Sequence, residues 1–352
     1  MKFAQKFELE LVKVWYENKR PSLLFRLTLE VLHAVFRLLR FLSGQHAKAL
    51  VARREMVPPV LVVGNLIAGG AGKTPVVLAV CKSMQAKGYQ IGILTRGYRR
   101  QGREQLLLKP GQRVDASECG DEPAWLLQQA NCPIAVGAQR ESARQALVEA
   151  YPSIDLIVSD DGLQHHHLGR SLEWVIFDDR AAGNGRLLPA GPLREPLTRL
   201  KTVDSIISTG LPPEQLAERL NWPDSSQIEH LHVQLTGFEN LTTSETLDVH
   251  SALERFTGQD ILAFTGLGNP NKFFKALRAA GLQLDETLAL PDHFDYPDHF
   301  CSNLNCTVAL TTGKDAVKLK ASSDKVWVVQ FELRLPDHLI TQIEDKIGRA
   351  SR

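Results

Sequence analysis

Residues 60–75 read VLVVGNLIAGGAGKTP, an apolar strand running into a glycine-rich turn that ends in Lys-Thr. Glycines at 69, 70 and 72 let the backbone turn tightly and point successive N–H groups at an anion, with the positive end of the next helix behind them. In this reading Lys73 brings a mobile positive charge to the β- and γ-phosphates of a nucleotide, and the Thr74 hydroxyl is a ligand for Mg²⁺. Asn65, Ala68, Gly69, Gly70, Ala71, Gly72, Lys73, Thr74 and Pro75 are therefore the expected nucleotide-binding residues. Ile67 stands where G-x-x-x-x-G-K-[ST] has its first glycine, so the loop is a variant G-G-x-G-K-T form. The alternative is a glycine-rich strand-to-helix turn with no ligand.

The rest of the chain sets the frame for that loop. Its 352 residues exceed what one hydrophobic core organises, which predicts two domains. With 43% hydrophobic and 23% charged residues, the composition is that of an ordinary globular protein. A formal net charge of +1 provides no global field for nucleic acid, so anions must be met by local clusters. The five cysteines, at 81, 119, 132, 301 and 306, form no C-x-x-C pair and argue against a disulfide framework and a zinc site. The opening MKFAQKFELELVKVWYENKRP mixes charges into its first residues, which predicts no secretory signal.

Residues 22–42, SLLFRLTLEVLHAVFRLLRFL, are long and apolar enough to raise the question of a membrane span. Arg26, Glu30, His33, Arg37 and Arg40 recur at steps of four and three, however, drawing one polar stripe along a helix. Each charge near a bilayer centre costs about 2.5–3.5 kcal/mol, which argues against spanning. The stripe, followed by Lys48, Arg53 and Arg54, predicts a helix lying in the headgroup layer of an anionic membrane, the polar stripe facing water and headgroups. A core helix with one solvated edge is the alternative.

Beyond the loop, a helix ending at Gly88 and the strand QIGILT (90–95) complete a βαβ unit. The strand empties into RGYRRQGR, where Arg96, Arg99, Arg100 and Arg103 crowd beside Tyr98 as candidate phosphate contacts or as a solvated charge run. Next, Gly120-Asp121-Glu122-Pro123 opens a helix, a place where acidic residues often do no more than complement the helix dipole. In IDLIVSDDGLQHHHL (154–168) a buried strand runs into Asp160-Asp161, read as the second Mg²⁺-holding element of a loop-type nucleotide enzyme. Of His165, His166 and His167 at most His165 belongs to the site, since consecutive imidazoles cannot all face one ion. EWVIFD (173–178) and DSIIST (204–209) are further strands, separated by a long Gly- and Pro-rich loop carrying Arg186 and Arg194. HLHVQLTGFENL (230–241) alternates like a β ribbon, and strands at 261, 307 and 326 with a helix from Asn271 describe a second, smaller α/β domain. The expected division is 1–55 for the amphipathic region, 56–229 for the loop-bearing core and 230–352 for ribbon and smaller domain.

The succession GNLIAGGAGKTP, TRGY, GDEP, SDDGLQH, GNGRLLPAGPLREP, GLGNPNKFF, PDHF and GKDAVK resembles the tetraacyldisaccharide 4′-kinase family of lipid A biosynthesis, across about residues 20–330. The resemblance implies a P-loop kinase with a second α/β domain and an N-terminal amphipathic membrane-surface helix. It implies ATP and Mg²⁺ as cofactors and an acylated disaccharide 1-phosphate as substrate. It also places the enzyme peripherally on the cytoplasmic face of a bacterial inner membrane, with no nucleic acid and no obligate protein partner. Carried over by position, Asp121 is the proton acceptor with Glu122 beside it, His293 joins by domain closure, and Lys73 completes the catalytic set. Metal falls to Thr74, Asp160, Asp161 and Glu122, and Gln164 joins the nucleotide residues. Substrate contacts fall to Arg96, Tyr98, His165, Arg186 and Arg194. The family reads Thr-Glu-Lys-Asp where this chain has Thr312-Gly313-Lys314-Asp315, which leaves the role of that loop open. A partner-switching ATPase with a similar loop is the other reading, although its usual second lysine is missing at Ala68.

Overall fold

Val60–Gly64 has no residue open to solvent, and a five-residue run of that kind forms a strand covered on both faces. It is β1 in a computed structural model that describes residues 3–17, 19, 21–42, 56–98, 100, 102, 104–292, 294–319 and 323–350. The strands that follow are β2 (Ile91–Thr95), β3 (Leu106–Leu108), β4 (Ile134–Val136), β5 (Leu156–Asp160), β6 (Leu172–Phe177), β7 (Ser205–Ser208) and β8 (Ile228–His230). Then come β9 (Val233–Asn240), β10 (Thr246–Asp248), β11 (Ile261–Thr265), β12 (Glu286–Ala289), β13 (Val308–Thr312) and β14 (Val326–Leu333).

The chain divides into two compact units interleaved along the sequence. The first takes the residues up to Lys73, Asp155–His232 and those from Asp337 onward. Its strands lie in the order β5-β1-β6-β7-β8, every pair parallel. β1, β5 and β6 are wholly buried. The helix Asp337–Ala350 buries Leu339, Ile343 and Ile347 along one stripe, and its Gln342 accepts from the buried Trp174 indole at 2.8 Å. A buried indole N–H needs such a partner, so this helix belongs to the core of the first unit.

The second unit holds Thr74–Ile154 and Val233–Pro336. In its first part β2 pairs with β4 in parallel and β3 lies antiparallel on β4. Its second part is a six-stranded sheet, β10-β9-β14-β13-β11-β12. There β14, β13, β11 and β12 are parallel, and the long β9 runs antiparallel to β14 with a register shift at Gln330/Phe331. The alternating stretch thus enters this sheet as β9 from Val233 onward, its first residue His230 closing β8. Phe238, Phe256, Phe273, Phe274 and Trp327 fill one side of it, and Phe264 with Tyr296 the other.

The helix Leu23–Leu42 turns out differently from its sequence pattern. Arg186 donates to both carboxylate oxygens of Glu30 at 2.6 Å, His33 Nδ1 donates to the Leu187 carbonyl at 2.9 Å, and Arg40 donates to the Arg194 carbonyl at 2.7 Å. Three of the five stripe residues therefore face protein, Glu30 in an ion pair and His33 and Arg40 on backbone carbonyls of the 186–194 loop. Arg26 and Arg37 remain exposed. It is the apolar side that stands free: Leu23, Leu24, Leu27, Val31, Leu38, Leu39, Phe41 and Leu42 are 55–82% exposed. Among the described residues no helix is long and apolar enough to cross a membrane.

Candidate active site

The glycine turn leaves β1 and ends in the helix Lys73–Ala86. Lys73 is 7% exposed, and its ammonium lies 3.4 Å from Asn65 Oδ1 and 3.5 Å from Asp161 Oδ1. Asn65 in turn donates to the Gly69 carbonyl at 3.2 Å. Residues 192–194 run alongside the loop: Ala68 N–H donates to the Pro192 carbonyl at 2.8 Å and Arg194 N–H to the Leu66 carbonyl at 2.7 Å. Backbone bonds on both sides of Ile67 fix the path of the chain into the turn, and the Asn65 side chain holds the turn itself.

A polar network continues from Asp161 within the first unit. Arg194 Nη1 reaches its two carboxylate oxygens at 3.4 and 3.3 Å and Gln164 Oε1 at 3.3 Å. Gln164 donates to Glu195 at 3.0 Å and to the Asn65 carbonyl at 3.4 Å. Burial alone would raise the Asp161 carboxyl, but Lys73 and Arg194 outweigh it and hold the group well below the usual carboxylate range. Asp160, the last residue of β5, is 1% exposed. Beneath the network Arg170, with a fully buried side chain, donates to Glu173 at 2.9 Å and to the Leu163 carbonyl at 3.1 Å. Arg199 also donates to Glu173. Arg186 belongs to the Glu30 pair described above. His165 donates its backbone N–H to the Gly162 carbonyl.

Arg180 was not anticipated from the sequence. The buried Asp178 at the end of β6 grips its Nε at 3.2 and 3.0 Å and its Nη2 at 2.7 Å, and Nη2 also donates to the Gly70 carbonyl of the turn. Its guanidinium lies 5.4 Å from the ring centroid of Tyr16, whose phenol burial pushes up to about 12. The position of Asp-Asp-Arg directly after a buried strand was the available signal.

In the second unit the two short motifs TRGY and GDEP meet backbone to backbone. Gly97 and Gly120 both have positive φ, +67° and +100°, and a Cβ on Gly97 would stand 2.6 Å from the Cys119 carbonyl. Only glycine permits this approach, which sets the exposed Arg96 and Tyr98 beside the start of the helix Asp121–Ala130. At that start Glu122 Oε1 accepts from the Thr74 hydroxyl at 3.3 Å and from Lys314 at 2.5 Å. Asp121 Oδ2 lies 3.2 Å from Lys318. Lys314 and Lys318 thus each meet one of the two carboxylates, a pairing across the chain that no local sequence pattern announces. His293 lies outside the described residues. Among the described residues no group of three His, Cys, Asp or Glu side chains is arranged to hold a metal by itself.

Residues 25–348 match the family model described as LpxK, tetraacyldisaccharide-1-P 4′-kinase. The chain belongs to the tetraacyldisaccharide 4′-kinase family. It is 37% identical over 329 residues to the tetraacyldisaccharide 4′-kinase of Herminiimonas arsenicoxydans, covering 91% of each chain. With that of Polaromonas naphthalenivorans it shares 39% identity over 324 residues, 89% of this chain and 86% of the other. Its fold is similar to the crystal structure of LpxK from Aquifex aeolicus in complex with ATP. The TM-score there is 0.73 at 25% identity, over 92% of this chain and 99% of that one. The α/β, P-loop architecture expected from the sequence is thereby borne out.

Proposed function

We propose that this family member transfers the γ-phosphoryl group of ATP to the 4′-hydroxyl of a tetraacyldisaccharide 1-phosphate. The single observation that carries the reading is the match of residues 25–348 to the kinase family. An alcohol is a weak nucleophile at neutral pH, so Asp121 accepts its proton as the oxygen attacks the γ-phosphorus and the bond to the ADP oxygen breaks. Lys73 and the N–H groups of residues 69–74 hold the charge that gathers on the phosphate oxygens. The donor set of Thr74, Glu122, Asp160 and Asp161 is all hard oxygen, which fits Mg²⁺, and Mg²⁺ when bound neutralises phosphate charge.

Arg194 and Gln164 keep Asp161 oriented towards the turn, and Arg96 and Tyr98 offer a cation and an amphipathic ring to the lipid's sugar phosphate. The apolar face of Leu23–Leu42 supports a peripheral attachment to the cytoplasmic face of a bacterial inner membrane, its polar face being taken up by the 186–194 loop. The test is incubation with ATP, Mg²⁺ and detergent-dispersed tetraacyldisaccharide 1-phosphate. A product one phosphate heavier is expected; ATP turnover that ignores the lipid and answers only to a protein partner would overturn the reading.

A further inference from the structure

Three contacts tie the segment Gly313–Lys318 to the helix Asp121–Ala130. Lys318 Nζ lies 3.2 Å from Asp121 Oδ2, Lys314 Nζ 2.5 Å from Glu122 Oε1, and Trp125 occupies the space beside Gly313. A Cβ at position 313 would stand 2.2 Å from Trp125 Nε1, so the close seating requires glycine there. The ammonium of Lys318 is also fixed from behind. It lies 3.5 Å from Asp315 Oδ1 and 5.3 Å from the Tyr296 ring centroid, and the side chain is 10% exposed.

Asp315 is a rigid anchor. It is 1% exposed and accepts from Thr265 Oγ1 at 2.7 Å, Thr312 Oγ1 at 2.8 Å, Tyr296 Oη at 2.9 Å and the Gly266 N–H at 3.1 Å. A buried carboxylate bound on both oxygens by four donors has no second arrangement of comparable energy. An ammonium held by such a group presents its remaining N–H bonds in fixed directions.

We propose that Lys318 is a positioning residue for phosphoryl transfer, holding the Asp121 carboxylate in the orientation from which it receives the proton of the acceptor hydroxyl. The inference rests on Asp121 being that proton acceptor. Lys318 acts through Asp121, and it is itself aimed by Asp315. Misplacing a reacting group by about 1 Å costs on the order of 10²-fold in rate, which sets the size of the effect.

The experiment measures kcat and KM for both substrates in the full chain with Lys318→Met, Lys318→Arg, Asp121→Asn and the Asp121→Asn/Lys318→Met double variant. Lys318→Met is expected to lower kcat roughly ten- to a hundredfold, leaving KM for ATP unchanged. Lys318→Arg keeps a cation between the two carboxylates and is expected to recover most of the loss. In the Asp121→Asn background the Met substitution should add nothing, because residues acting as one unit are not additive. Unchanged kcat in Lys318→Met overturns the proposal, as does a full additional loss in the double variant. If both Lys318 variants melt early and lose activity together, the lysine is a structural strut and the proposal is overturned too. Normal turnover by Asp121→Asn alone would instead remove the proton-acceptor reading on which the inference stands.

Discussion

Lys73 is buried between Asn65 and Asp161 at the end of the glycine turn. Replacing it with Ala should lower turnover by at least about a hundredfold, the usual loss for a donor aimed at transition-state charge. Steady-state rates at saturating ATP check this. Asp121 and Asp160 are expected to separate in a Mg²⁺ titration. Asp121→Asn should lose roughly 10²–10⁴ in kcat whatever the metal concentration, as loss of a general base does. Asp160→Asn should recover in part as Mg²⁺ is raised, and recovery of Asp121→Asn instead would make Asp121 a metal ligand. His166 gives a pH signature of its own. Burial, then the charges of Arg170, Arg199 and Arg40, depress its imidazole from 6.5 to about 4, against a smaller opposing pull from Glu173. A depressed folded-state pKa means that the unfolded chain binds the proton first. The contribution of the neutral ring is complete above pH 6.5 and is lost as pH falls towards 4. His166→Gln should therefore show a smaller drop in melting temperature between pH 7 and pH 4.5 than the unsubstituted chain does.

At the scale of elements, the helix Leu23–Leu42 and the 186–194 loop work as a pair. The Glu30–Arg186 bridge leaves both side chains about two-fifths exposed, so solvent screens it and it contributes little. Attachment of the helix thus depends as much on His33 and Arg40 bonding the loop's backbone. With Glu30, His33 and Arg40 engaged by the loop, the side left to meet lipid under the proposed attachment is the apolar one. Changing Leu24, Leu38 and Phe41 together to Ser should abolish cosedimentation with anionic vesicles and leave turnover of detergent-dispersed substrate intact. High salt should weaken binding only partly, because screening touches Arg26 and Arg37, each worth about 1 kcal/mol at an anionic surface, and not the leucines. Retention of the triple variant on vesicles would send the membrane contact elsewhere in the chain.

On the scale of the whole molecule, the boundary between the two compact units falls between consecutive residues of the nucleotide turn, Lys73 and Thr74. ATP with Mg²⁺ at 100 times its dissociation constant should stabilise the native state by about 2.7 kcal/mol through mass action, read as a rise in melting temperature. Lys73→Ala should blunt that rise, and a shift confined to part of the unfolding transition would show that the units melt independently.

Some of this was written in short stretches of sequence and some was not. The turn after β1, the alternation of strands and helices and the carboxylates closing β5 follow from neighbours within a few residues, because turn chemistry and side-chain periodicity are local properties. The ordered motifs were enough for the family. The helix Leu23–Leu42 marks the limit: its period declares two unlike faces, but which face meets protein depends on the 186–194 loop that folds against it. Trp125 on Gly313 and Lys314 on Glu122, 192 positions apart, are likewise invisible to any local pattern. Ion pairing has no periodicity and acts only at contact distance, so the partner of each carboxylate at the head of the helix Asp121–Ala130 was decided by the sheet that carries Thr312 to it, and by nothing nearer in the chain.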